Sequence, residues 1–133
     1  MNPDALTGLP TRIPPPSEPT AAIFLDINHL GRINYDYDFQ TGDAALARLG
    51  NWLAQQAEQL GADAFRVAGD EFILLLPGRT IEEADAIAKN LVAAPHELIT
   101  LKAAVFTAGP DLPTRLKAIL EELAEKLYRN PSS

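Results

Sequence analysis

Three carboxylates stand out against the apolar segments around them. Asp26 interrupts Ala21-Ala22-Ile23-Phe24-Leu25-Asp26-Ile27, and Asp70-Glu71 lies between Phe65-Arg66-Val67 and Phe72-Ile73-Leu74-Leu75-Leu76. Oxygen donors alone, in a chain without cysteine, suit a hard divalent cation, Mg²⁺ or Mn²⁺. Carboxylates brought together repel one another unless a proton or a cation sits between them. The chemistry that such a site serves is metal-assisted phosphoryl or nucleotidyl transfer, with ions activating a hydroxyl and neutralising phosphate. Taken singly, an Asp at a strand end and a Gly-Asp-Glu hairpin are ordinary turn residues. Their weight depends on whether the fold brings them together.

The elements are readable in outline. Ala21–Ile27 is a strand apolar on both faces, hence central in its sheet. A helix from Thr41 or Gly42 to about Leu60 carries Leu46, Leu49, Leu53 and Leu60 on one stripe, and Gly61 ends it. The segments around Gly69 and Asp70 form a hairpin, and the glycine fits a type II′ turn. Thr80 and Glu83 form a capping box before a helix whose apolar face is Ile81, Ala84, Ile87 and Leu91. Leu98 to Phe106 is a strand. Asp111 and Pro113 open a last helix that buries Leu116, Leu120, Leu123 and Leu127. The first six elements spell the βαββαβ order of a ferredoxin-like sheet, an α/β (α+β) fold. In that topology the third strand fills the gap between the first two, so Asp26 falls beside Asp70 and Glu71. That juxtaposition raises the three carboxylates above ordinary turn residues.

Composition narrows the partners. The 133 residues make one domain, 47% apolar, with a net charge of −7. Such a balance argues against a basic face for nucleic acid, while a bound cation reconciles an acidic site with a small polyphosphate. No apolar run approaches the roughly 20 residues of a membrane span, and no leader opens the sequence, so a cytoplasmic protein is expected. Residues 1–20 differ from the rest, because Ile13-Pro14-Pro15-Pro16-Ser17-Glu18-Pro19 must be extended. They form an N-terminal arm laid on a domain of residues 21–133.

At this point the residues resemble a family. Ala68-Gly69-Asp70-Glu71-Phe72, preceded by Arg66, resembles the signature of GGDEF domains, the diguanylate cyclases. Asp4-Ala5-Leu6-Thr7-Gly8-Leu9-Pro10-Thr11-Arg12 is similar to that family's opening Asp-x-Leu-Thr-Gly-Leu-x-Asn-Arg. Leu25-Asp26-Ile27-Asn28-His29-Leu30-Gly31-Arg32-Ile33-Asn34 is similar to its Leu-Asp-Ile-Asp-x-Phe-Lys-x-Ile-Asn, and Gly42-Asp43 to the Gly-Asp that starts its next helix. The resemblance covers residues 4 to about 76. It implies that Asp26, the Ile27 carbonyl and Asp70 bind metal. It also implies that Glu71 supports the metals and the attacking 3′-hydroxyl. Asn34 and Asp43 fall at the guanine-reading positions, which suits an amide and a carboxylate facing guanine's acceptor and donors. Gly69, Arg32, Lys126 and Arg129 are the candidates for phosphate. The implied reaction joins two GTP into cyclic di-GMP with Mg²⁺ or Mn²⁺ in a homodimer of facing domains.

Several positions depart from that pattern. Ala68 replaces a glycine, Asn28 replaces an aspartate, and Gly31 stands where the family has a phosphate-side lysine. Asp38-Phe39 replaces Gly-His, and Tyr35, Tyr37 and Phe39 are expected to pack rather than to stack on a base. Anchoring on Pro113 puts Tyr128 at the last helix's expected lysine, leaving Lys126 and Arg129 nearby. Gln59-Leu60-Gly61-Ala62 replaces the Arg-x-x-Asp of the family's inhibitory product site, so no such site is expected. The interval Ile13 to Thr20 is too short for the family's long helix, and the arm, the last helix or a partner must cover the surface it leaves. His29 and His96 read as structural, Trp52 as core or interface, and Arg66 as a clamp of a hairpin carboxylate or a phosphate contact.

Two readings follow. The first is an active diguanylate cyclase with every acidic and guanine-reading position in place. The second is a non-catalytic GGDEF domain that binds GTP or a protein partner. In either, the input signal comes from self-association, a separate sensory protein or sequence beyond these residues.

Overall fold

The fold is taken from a computed structural model that describes residues 3–28, 38–96 and 98–129. Its elements run β1 (Thr20–Asn28), α1 (Phe39–Leu60), β2 (Asp63–Ala68), β3 (Glu71–Leu76), α2 (Ile81–Ala93), β4 (Thr100–Ala108) and α3 (Leu112–Arg129). The sheet order is β2-β3-β1-β4, with every neighbouring pair antiparallel. This is the expected ferredoxin-like arrangement, with β1 central. Arg32 and Asn34 lie outside the described residues, as do Gly31, His29, Tyr35 and Tyr37.

The alternation of β1 divides the core. Ile23, Leu25 and Ile27 face α1 and α2 together with Phe72, Leu74, Leu76 and Leu101. Ala22 and Phe24 face α3 with Ile73, Leu75, Ala108 and Leu112. Burying each large apolar side chain contributes about 1.5–3 kcal/mol. A strand apolar on both faces therefore gains most at the centre of the sheet. Asp26 continues the Ala22 and Phe24 series, so its carboxylate sits on the α3 face.

Element boundaries differ from expectation where side chains or backbone strain intervene. Helix α1 begins at Phe39 because the Asp38 carboxylate accepts the Thr41 amide at 2.7 Å. Strand β4 begins only at Thr100, after Leu98 takes a φ of 70°, an uncommon backbone conformation for a branched residue. The β2–β3 turn is not type II′, since Gly69 does not have the positive φ which that turn requires. A bulge between Arg66 and Ala68 reshapes the hairpin instead. On α2 the capping box forms as expected, but Ile81 is 41% exposed and Ala88 is buried in its stead. On α3, Leu123 is buried, whereas Leu116, Leu120 and Leu127 are partly buried.

The N-terminal residues reach both core layers. Asp4 accepts the Thr7 amide and hydroxyl, each at 2.8 Å, and so shapes a tight turn. Leu9 enters the layer under α1 and α2, and Ile13 enters the layer under α3. Between them the Pro10 carbonyl accepts the Arg66 amide at 3.0 Å. The arm thus wraps the outer edge of β2, satisfying a backbone group that an edge strand would leave open. Residues 13–19 carry no helix, and Ile13 with α3 covers part of the sheet face there.

Candidate functional site

Register, more than sequence proximity, assembles the site. Asp26 pairs across β1 and β3 with Glu71, and across β1 and β4 with Lys102. Directly opposed residues in adjacent strands point to the same face, so an acid, an acid and a base line up across the sheet. The hairpin turn is tied to β1, where the Ile27 amide donates to the Asp70 carbonyl at 3.0 Å. Arg66 holds the turn from the other side. Its Nη2 and Nε donate to the Gly69 carbonyl at 2.8 and 3.2 Å, and its Nη1 to the Asp4 carboxylate at 2.9 Å. Arg66 is a clamp, but not on a hairpin carboxylate as expected: in the hairpin it holds the Gly69 carbonyl, and the carboxylate it holds is that of Asp4 in the N-terminal turn.

The electrostatics follow from this crowding. Asp26 is 6% exposed. Burial first, then the charges of Asp70 and Glu71, push its carboxyl from 3.8 up to about 6, with Lys102 and the Ile27 amide pulling the other way. Glu71 is raised as well, by burial and by Asp70. Such carboxylates hold protons or cations more readily than solvated ones do.

The convergence is looser than expected in one respect. Among the described residues, no group of three acidic or histidine side chains closes into a ready metal cage. That arrangement still fits Mg²⁺, which binds through one or two carboxylates and completes its octahedron with water and phosphate oxygens. The donors available are hard oxygens, and Asp26 with Glu71 forms the last pair between the two central strands, at one rim of the sheet.

Other predicted positions are spread around this pair. Asp43 is exposed one turn into α1, and its expected partner Asn34 lies outside the described residues. An added Cβ at Gly69 would meet nothing within 4 Å, so the turn is open on that side. Ala68 pairs with Glu71, and both line a cavity of about 440 Å³ between the hairpin and α3. Lys126 lines a different cavity, of about 580 Å³, at the edge of β4. The side chain of Arg129 lies outside the described residues. Gln59 to Ala62 close α1, with the Gly61 amide donating to Ala57 and Glu58 carbonyls from a left-handed conformation.

Two lysines escaped the sequence reading. Lys102 interrupts the apolar run Leu101 to Phe106 on the Asp26 face, and Lys117 lines the Glu71 cavity. A charged residue inside an apolar strand was the available signal for Lys102. Among the isolated residues, His96 packs edge-on against Trp52, ring centroids 4.4 Å apart, and burial lowers its pKa.

Comparison with known proteins joins these features. The family model described as "Diguanylate cyclase, GGDEF domain" matches residues 2–109. The chain belongs to the GGDEF family. The match includes the arm and its Asp4 turn. Diguanylate cyclase DgcP of Pseudomonas aeruginosa is 36% identical over 70 residues, which is 53% of this chain and 10% of DgcP. YhcK of Bacillus subtilis is 37% identical over 71 residues, 53% of this chain and 20% of YhcK. This GGDEF domain therefore spans a fifth or less of the curated relatives it matches. A sensory box/GGDEF family protein from Caulobacter crescentus is 25% identical in its solved structure, with a TM-score of 0.68 over 97% of both chains.

Proposed function

We propose that this GGDEF domain is a diguanylate cyclase that condenses two GTP into cyclic di-GMP by metal-assisted nucleotidyl transfer. The observation that carries the reading is the buried Asp26 placed opposite Glu71 across β1 and β3. Family membership and the likeness to DgcP support it.

In this reading Asp26 and Asp70, with the Ile27 carbonyl and Glu71, would hold Mg²⁺ or Mn²⁺, up to two ions per site. A bound ion would neutralise phosphate charge and acidify the attacking hydroxyl. Each 3′-oxygen forms a bond to the α-phosphorus of the other nucleotide, and pyrophosphate leaves. Glu71, opposite Asp26 in register, would support the ions and the attacking 3′-hydroxyl and take up its proton. Asp43 and Asn34 read guanine, and Gly69, Arg32, Lys126 and Arg129 attend the phosphates. Two attacks between two nucleotides require two facing sites, hence a homodimer. GTP as substrate suits a cytoplasmic domain, with its input from self-association, a separate sensory protein or sequence beyond these residues. Among the described residues, no helix is long and apolar enough to cross a membrane.

A second reading, a domain that binds GTP or a protein partner without turnover, is favoured by the sequence departures at Ala68 and Gly31. Incubating concentrated protein with GTP and Mn²⁺, with chromatography of the products, separates the two. The cyclase reading expects cyclic di-GMP from the wild type and none from Glu71→Ala. Metal-dependent GTP binding without product would support the second reading.

A further inference from the structure

The four lysines of this chain are unevenly placed. Lys89, Lys102 and Lys126 line the cavity of about 580 Å³ that wraps the edge of β4. Lys89 is held by Asp85 at 3.0 Å. Lys102 is the one set in the sheet, and its register position is next to Asp26 on the face shared with Glu71. The central row is therefore polarised, with Glu71 on the β3 side of Asp26 and Lys102 on the β4 side. The cavity continues outward from Lys102 to Lys126.

We propose that Lys102 contacts the triphosphate of the bound nucleotide and supplies the cation that Gly31 lacks. This inference rests on the cyclase reading of the same site. A polyphosphate on a metal needs carboxylates on one side and local cations on the other, and the row Glu71, Asp26, Lys102 provides both within three adjacent strands. With the charge of Asp26 committed to a divalent ion, that ion and the ammonium of Lys102 repel each other. The four-carbon stem of lysine lets the ammonium turn outward, toward the cavity where Lys126 stands. Phosphate oxygens placed over Asp26 then find Lys102 as the strand-borne cation beside them. The position differs from the helix-borne lysine sought near Tyr128, and its signal is a base inside an apolar edge strand.

The test is calorimetry with GTP and with GMP in Mg²⁺ on the wild type, Lys102→Met and Lys102→Arg. Lys102→Met should weaken GTP about tenfold and leave GMP within twofold, and Lys102→Arg should retain GTP within about threefold. Retained GMP affinity also reports that the variant is folded, and thermal unfolding of each variant provides a second check. Unchanged GTP affinity in Lys102→Met overturns the inference and leaves the cyclase reading standing. Equal weakening of GTP and GMP also overturns it, because Lys102 would then act only by positioning Asp26. Failure of the wild type to bind GTP overturns the cyclase reading and this inference together.

Discussion

Arg66 and Asp4, far apart in sequence, form a 2.9 Å ion pair that joins the signature hairpin to the N-terminal turn. Both side chains are mostly shielded, at 15% and 21% exposure. The same guanidinium holds the Gly69 carbonyl, and Asp4 also accepts from Thr7. The geometry of the acidic turn therefore depends on Asp4 in the N-terminal turn as well as on Arg66 beside it.

Asp4→Ala should cost on the order of 1–2 kcal/mol, because it strands the Arg66 charge and two Thr7 donors. Urea denaturation measures this. Burial raises the Asp4 carboxyl, but hydrogen bonds from Thr7 and Arg66 outweigh it, and the net pKa is lowered below 3.8. A depressed folded-state pKa contributes stability above the unfolded value that is lost as the pH falls through the folded one. The Asp4→Ala penalty should therefore shrink below about pH 4.

Asp26 carries the opposite sign. Its folded-state pKa of about 6 lies above the ordinary 3.8, so the folded protein binds the extra proton and loses stability as the pH rises through that interval. Asp26→Asn should stabilise the metal-free protein at pH 7, by on the order of 2 kcal/mol, and should flatten the dependence between about pH 4 and 6. Thermal unfolding across that range, with and without Mg²⁺, checks both. Mg²⁺ should raise the melting temperature of the wild type and leave Asp26→Asn nearly unmoved.

Gly50 on α1 is the contact point for the N-terminal turn. A Cβ there would fall 3.0 Å from the Thr7 Cα and closer still to its Cβ. Gly50→Ala should push the arm off α1 and cost roughly 1–3 kcal/mol, the usual penalty of overpacking. Limited proteolysis should cut the arm of this variant faster than that of the wild type. Equal cutting rates and equal stability would show that the arm does not depend on this contact.

Much of this organisation was legible in residue order. The strand, helix and hairpin sequence placed Asp26 beside Glu71 because an antiparallel third strand must fill the central gap. The Thr80 and Glu83 box and the Gly61 cap were readable because their chemistry is local. The turn at Gly69 was not, since its shape depends on a bulge in β2 and on Arg66, which answers to Asp4 far upstream. Lys102 was missed for a similar reason. Its meaning depends on the register of β4 against β1, which local pattern does not determine. Ile81 looked like core by spacing, yet it sits at the exposed first turn of α2.

In the proposed site, Asp26 and the hairpin acids would hold a divalent ion on which two nucleotides are joined. A crystal grown with Mn²⁺ and a non-hydrolysable GTP analogue, measured at the manganese absorption edge, tests it most directly. An anomalous peak is expected roughly 2.0–2.3 Å from a carboxylate oxygen of Asp26 and from one of Asp70 or Glu71, with phosphate oxygens completing the ion's shell. Nucleotide bound elsewhere, or manganese absent from Asp26 with the analogue in place, would contradict it.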